Sequence, residues 1–316
     1  DDENKFINKQ IINELISNKT RITIDSKFNV KNLLINNFNK LIDNDNKLVL
    51  KKNIYQFICE FNANLNIFAL TNTGKIINFD WKKSLNIDCK LNNKLLSNIN
   101  PYEIINFHNF INDRENYLCI LCKDGRFKKI LYDNEMIKAN RAFRIIKTKK
   151  ENKIVNSFIS EQNEMMIILT SIGRLFKYKL DNKYIAPVSK QAQGTIINKL
   201  FPREEIVSCC TCRADDQLII ITKKGNFFSI KEKEIYNSYH SKLGFLNEKL
   251  KIKNDIYLSI ISDNKYCEIV TNKERSANIN FSKLKINGTT KKLDIDFLDF
   301  ENDEYINNIY FFKKTN

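Results

Sequence analysis

The sequence predicts an all-β protein, a closed ring of six blades, and two periodic marks carry that prediction. Four of the seven glycines stand in one context: LTNTGKIINF around Gly74, LCKDGRFKKI around Gly125, LTSIGRLFKY around Gly173 and ITKKGNFFSI around Gly225. Isoleucine recurs at 54, 104, 154, 206, 256 and 306, at intervals of 50 or 52 residues. An all-strand unit of ~50 residues repeated six times is the signature of a radial array. Such a unit cannot bury both faces alone, so its neighbours complete the core and the array is one domain. Length by itself suggests about two domains of ~150 residues each. The repeat overrides it.

Taken in order, residues 1–19 read as a lead-in, in which Asn4 to Ile16 suits a short helix, and residues 20–316 as the ring. The first hairpin is RITIDSKFNVKNLL, a degenerate copy with Phe28 in the glycine place, 46 residues before Gly74. The second to fifth hairpins turn at Gly74, Gly125, Gly173 and Gly225, where glycine supplies the positive φ of a tight turn. The sixth, EIVTNKERSANINF, puts Glu274 in that place, 49 residues after Gly225. Between hairpins run the strands NIYQF, EIINF, KIVNS, EIVSC, DIYLS and YINNI. The remaining glycines, Gly194, Gly244 and Gly288, fall just upstream of that strand in repeats four to six. The last strand, Tyr305 to Phe312, is expected to close the ring by joining the first hairpin.

Composition limits the function classes. A 42% apolar content fills a large core, while 28% charged residues and no apolar run near ~18 residues argue against a membrane span. The start, DDENKFINKQ, reads as that of a trimmed chain. The chain holds 46 asparagines, 43 lysines and only 9 arginines, the bias of an AT-rich genome. Its eight cysteines are Cys59, Cys89, Cys119, Cys122, Cys209, Cys210, Cys212 and Cys267. Cys119 and Cys122 have zinc-like spacing, but strand alternation sends them to opposite faces. With only His108 and His240 besides, buried reduced thiols are expected, no metal, and a reducing compartment. The net charge of +15 attracts polyanions.

At these motifs the sequence resembles the C-terminal domain of the DNA gyrase A subunit. That family repeats a hairpin of the form T-x-x-G-x-[VI]-K-R, matched best by residues 169–178 and 121–130. Its connector S-R-x-A-x-G-V-R-x-I-R-L, followed by an acidic strand, is similar to SKQAQGTIINKL (189–200) and FPREEIVSCC (201–210). The shared positions are Lys190, Ala192, Gly194, Lys199 and Leu200. The resemblance covers about residues 15 to 313 and implies a β-pinwheel, a propeller-like ring with its own strand connectivity. It implies a non-catalytic module without cofactor that wraps duplex DNA around a basic rim. The wrapped DNA is presented to an upstream cleavage core working with gyrase B, whose strand passage gives negative supercoils. The family's QRRGGKG box has no counterpart in NNFNKLIDNDNKLVLKKNI, where Lys40, Lys47, Lys51 and Lys52 keep some charge. Topoisomerase IV has a related pinwheel without that box. The composition resembles that of an apicomplexan plastid (apicoplast) gyrase, with an AT-rich bacterium as the alternative.

Basic residues gather at two places in the repeat. Hairpin turns hold Lys75; Arg126, Lys128 and Lys129; Arg174 and Lys177; and Lys223 and Lys224. Connectors hold Arg141, Arg144, Lys190, Lys199 and Lys242. Equivalent positions on successive blades recur around one edge, so these thirteen are the expected DNA contacts, without base reading. The sole Trp81 and the other aromatics read as blade packing. The competing function is a protein-interaction propeller, although the Trp-Asp and Gly-His marks of WD repeats are missing. A catalytic reading finds no nucleophile–base pair.

Overall fold

The computed structural model describes residues 20–33, 47–51, 54–62, 64–79, 89–90, 103–111, 117–133, 142–238, 243–281, 286–295 and 298–313, with a few single residues between. The first repeat supplies β1 (Arg21–Asp25), β2 (Asn29–Leu33), β3 (Val49–Leu50) and β4 (Tyr55–Glu60). The second supplies β5 (Leu65–Thr71), β6 (Lys75–Phe79), β7 (Cys89–Lys90) and β8 (Ile104–Ile111). The third holds β9 (Tyr117–Cys122), β10 (Arg126–Leu131), β11 (Phe143–Arg144) and β12 (Ile154–Ser160). The fourth holds β13 (Met165–Thr170), β14 (Leu175–Lys179), β15 (Thr195–Ile196) and β16 (Ile206–Cys212). The fifth has β17 (Gln217–Thr222), β18 (Phe227–Lys231) and β19 (Tyr257–Ser262). The sixth has β20 (Lys265–Thr271), β21 (Arg275–Ile279), β22 (Lys291–Leu293) and β23 (Ile306–Lys313).

These strands form an all-β ring of six antiparallel sheets, as expected. In every sheet a hairpin is flanked by its own repeat's long strand on one side, as β12 flanks β9 and β10. The other side takes a strand from the following repeat: β7 on β2, β11 on β6, β15 on β10, β22 on β18. In the fourth blade the lent strand is reduced to bridges from Phe245 to Leu175 and from Asn237 to Lys177. The long strands pack on one another around the axis, so they are innermost and the lent strands outermost. This exchange is the pinwheel connectivity.

Ring closure differs from expectation. β23 pairs along its length with β20 of its own blade, not with the first hairpin. The hydrogen bonds that close the ring come from β3, whose Leu50 and Val49 pair with Arg275 and Ser276 of β21. β23 then packs against β4 on the inside. The physical reason is the exchange itself, since the sixth blade's outer strand is owed by the next repeat, which is the first.

The hairpin turns explain the glycine mark. Gly74, Gly125, Gly173 and Gly225 have φ between 79° and 89°, and Phe28 and Glu274 occupy the same turn at 61° and 59°. Three residues before each turn residue, Asp25, Thr71, Thr170 and Thr222 accept a hydrogen bond from the N–H that follows it, at 2.9 to 3.2 Å. A register shift beside the hairpin's last residue, or its partner strand's first, recurs in all six sheets, a β-bulge where the long strand begins.

Apolar cores lie between blades. Ile22, Ile24 and Phe57 of the first blade meet Ile67 and Ile77 of the second, and similar clusters join the second to third, third to fourth, fourth to fifth and fifth to sixth. The sixth-to-first junction mixes the apolar Val270 and Phe312 with polar groups. There β1 buries Arg21, Thr23 and Asp25, and β20 buries Glu268, which accepts a 2.8 Å hydrogen bond from Lys51. No helix among the described residues is long and apolar enough to cross a membrane. Of the expected Asn4–Ile16 helix, Gln10, Ile11, Asn13 and Glu14 are helical.

Candidate nucleic-acid interface

The second strand of the third to fifth hairpins has a neighbouring blade on either face, so its middle residues are buried. Lys128, Lys129 and Lys177 fall there, with exposures of 1, 3 and 6%, and Arg174, just before β14, is 3% exposed. This corrects their assignment as surface contacts. Lys128 Nζ donates to the carbonyls of Ile145 at 2.6 Å and Lys190 at 2.8 Å. Lys129 Nζ donates to Leu180 O and, at 2.7 Å, to Asn182 Oδ1. Burial pushes the Lys128 ammonium down to about 8 and lowers Lys129 as well. Lys177 Nζ lies 2.5 Å from Glu232 Oε1.

Arg174 fastens a loop. Its Nε and Nη2 donate to the two oxygens of Glu204 at 2.8 and 2.5 Å, and Nη2 also reaches Lys199 O at 2.8 Å. Nη1 donates to Leu243 O, and the guanidinium lies 4.2 Å from the Phe201 ring centre. The sixth blade repeats the arrangement: Arg275 donates to both Glu304 oxygens, at 3.0 and 2.5 Å, and to Asp299 O at 2.6 Å. Hydrogen bonds from Arg275, Thr271 and the Glu301 N–H hold the Glu304 carboxyl down at about 2 against the opposing pull of burial. Burial raises Glu204 too, but bonds from Arg174, Thr170 and Phe201 outweigh it. The arginine after the turn and the glutamate two before the isoleucine mark are a structural pair.

The other candidates divide further. Arg144, Lys190, Lys199 and Lys224 are exposed; Lys75, Arg126 and Lys223 are half-buried. Arg126 donates to Gly194 O at 3.3 Å, Lys190 sits 4.8 Å over Phe143 and Lys223 4.2 Å over Tyr305. Arg141 and Lys242 lie outside the described residues, as does most of the segment matching the missing box.

Of a better-placed set, sequence reasoning found only Lys199. In the third, fourth and fifth repeats the chain crosses from the lent outer strand to the long inner one over the face that bears the turns. The third crossover starts where Ile145 N–H donates to Gly74 O (2.8 Å) and ends where Lys123 N–H donates to Lys153 O (3.0 Å). The fourth starts on Gly125 O through Ile197 and ends on Ser171 through Glu205 O. The fifth runs from Phe245, paired with Leu175, to Ile256, whose carbonyl accepts from Lys223 N–H. Successive crossovers therefore bridge successive turns and form one track around the ring. On it stand Lys147, Lys149, Lys150 and Lys153, then Lys199 and Arg203, then Lys249 and Lys253, all exposed and without an ion pair among the described residues. The readable signal was lysine density in KTKKENK and KLKIK, ahead of the isoleucine mark.

The opposite end of the axis opens into a cavity of about 990 Å³. His108 Nε2 lies 2.6 Å from Ser157 Oγ, whose own proton goes to Asn106 Oδ1 at 2.9 Å, so the imidazole is the donor. Burial pushes it down to about 3, which keeps it neutral and removes it as a general base toward Ser157. Cys119 and Cys122 enter different inter-blade cores, and seven cysteines are free thiols. Among the described residues no group of three or more His, Cys, Asp or Glu could hold a metal.

The closed ring of six blades with lent outer strands is shared with solved structures. Solved structures with this fold include the C-terminal domain of DNA topoisomerase IV, 17% identical, with a TM-score of 0.67 and 93% of each chain covered. The DNA gyrase A C-terminal domain is 14% identical, with a TM-score of 0.66, covering 93% of this chain and 99% of that one. The E. coli ParC C-terminal domain is 14% identical, with a TM-score of 0.53, covering 77% and 98%. No family model and no curated protein matches the sequence. The likeness is one of fold.

Proposed function

We propose that this chain is the non-catalytic C-terminal domain of a type IIA topoisomerase A subunit, binding and wrapping duplex DNA without sequence preference. The observation that carries the reading is the unpaired cationic track on a ring sharing the fold of gyrase A and topoisomerase IV C-terminal domains. Its partners are then duplex DNA, the upstream cleavage core and, through it, gyrase B. Wrapping presents a segment for ATP-dependent passage and directs negative supercoiling. The missing box favours moderate wrapping, as in a topoisomerase IV-type pinwheel. The asparagine and lysine bias supports an apicoplast origin, with an AT-rich bacterial cytoplasm as the alternative.

The test is duplex binding against salt. Phosphate contacts release counterions, so log affinity falls with log salt at about −0.9 per contact. Relaxing and religating a nicked plasmid on the domain is expected to leave a positive linking difference. No duplex binding at ~50 mM salt would return the chain to the protein-interaction reading.

A further inference from the structure

We infer that the duplex occupies only an arc of the ring, carried by the third to fifth crossovers, and leaves the surface at the sixth. This rests on the reading that the domain binds duplex DNA. The third to sixth crossovers hold equivalent positions, so their charges can be compared directly. The third is the most basic, with four free lysines between Lys147 and Lys153. The sixth, from Asp294 to Glu304, holds six acids and no base. Glu304 is occupied by Arg275 and Glu301 by Lys273, but Asp294, Asp299 and Asp303 are exposed and form no ion pair among the described residues.

A polyanion following the track therefore meets attraction over three crossovers and repulsion at the next. Charges of one sign on either side of a surface path act within about 10 Å at 0.1 M salt, the reach needed for a phosphate lying on the crossover. Beyond the sixth, Lys51 of the first crossover is committed to Glu268 and does not extend the path. The ring is thus closed in its backbone and open in its charge.

Two variants of the full chain test this, with circular dichroism confirming the fold of each. Replacing Lys147, Lys149, Lys150 and Lys153 by Gln is expected to reduce the magnitude of the salt slope by roughly 3 to 4, with Arg at all four restoring it. Replacing Asp294, Asp299 and Asp303 by Asn is expected to steepen the slope and lengthen the hydroxyl-radical footprint on a linear duplex. An unchanged slope in the lysine variant, or an unchanged footprint in the aspartate variant, overturns the arc while leaving the DNA-binding reading intact. Failure of the unsubstituted chain to bind duplex overturns both.

Discussion

Arg174 and Arg275 show how a residue type can mislead in a basic protein. Each follows a turn residue and reads as a surface cation, yet each ends in a carboxylate and a crossover carbonyl. Sequence reports the charge of a side chain but not whether a partner 30 residues on has consumed it. Glu204 was legible as part of an acidic strand start, and the role of both glutamates became visible only through the bulge that brings the two segments together. Both carboxyls sit below their ordinary range, so they bind protons less readily in the folded state. Stability is then fully present above the unfolded value of about 4.3 and is lost as pH falls toward 2. Urea midpoints measured from pH 6 to 2.5 should fall in that window. Arg174→Ala, which strands a buried carboxylate, should lower stability by about 3–5 kcal/mol and flatten the Glu204 part of the dependence.

At the scale of the hairpin, geometry outlasts sequence. Phe28 and Glu274 adopt the left-handed turn that glycine takes elsewhere, and they were found by phase rather than by type. A left-handed L-residue costs ~1–2 kcal/mol, partly offset by the entropy that glycine loses on folding. Glu274→Gly should therefore stabilise the domain by about 0.5–1 kcal/mol in urea titrations. Gly74→Ala should do the reverse, because its new Cβ would stand 2.3 Å from Ile146 O at a φ of +89°; a loss of at least ~1–3 kcal/mol is expected. The hairpins and inner strands were legible because they are long enough to alternate. The lent strands are mostly two residues long, too short for any period, which is why the exchange and the true closing strand were not.

Among the described residues five junctions hold apolar clusters, and the sixth also buries charged groups. At that seam Glu268 is buried with Lys51 as its charged partner, and the Tyr310 hydroxyl bonds to Gln56. Non-directional apolar contact tolerates small shifts, whereas an ion pair within a buried junction does not. Lys51→Ala, leaving Glu268 uncompensated, should cost about 3 kcal/mol. Hydrogen exchange should then rise first in β1, β3 and β21 while the other junctions keep their protection; uniform loss around the ring would contradict a weak seam.

The crossovers have a mechanical consequence. The third, fourth and fifth are each anchored at the start to the turn of the preceding blade and at the end to their own. A pull exerted on Lys149 or Arg203 by a stiff rod therefore loads two sheets in shear, never one strand in peeling. Overlap of this kind spreads force as roof tiles do, and a rigid curved body can hold a strained polymer without any single blade being unzipped.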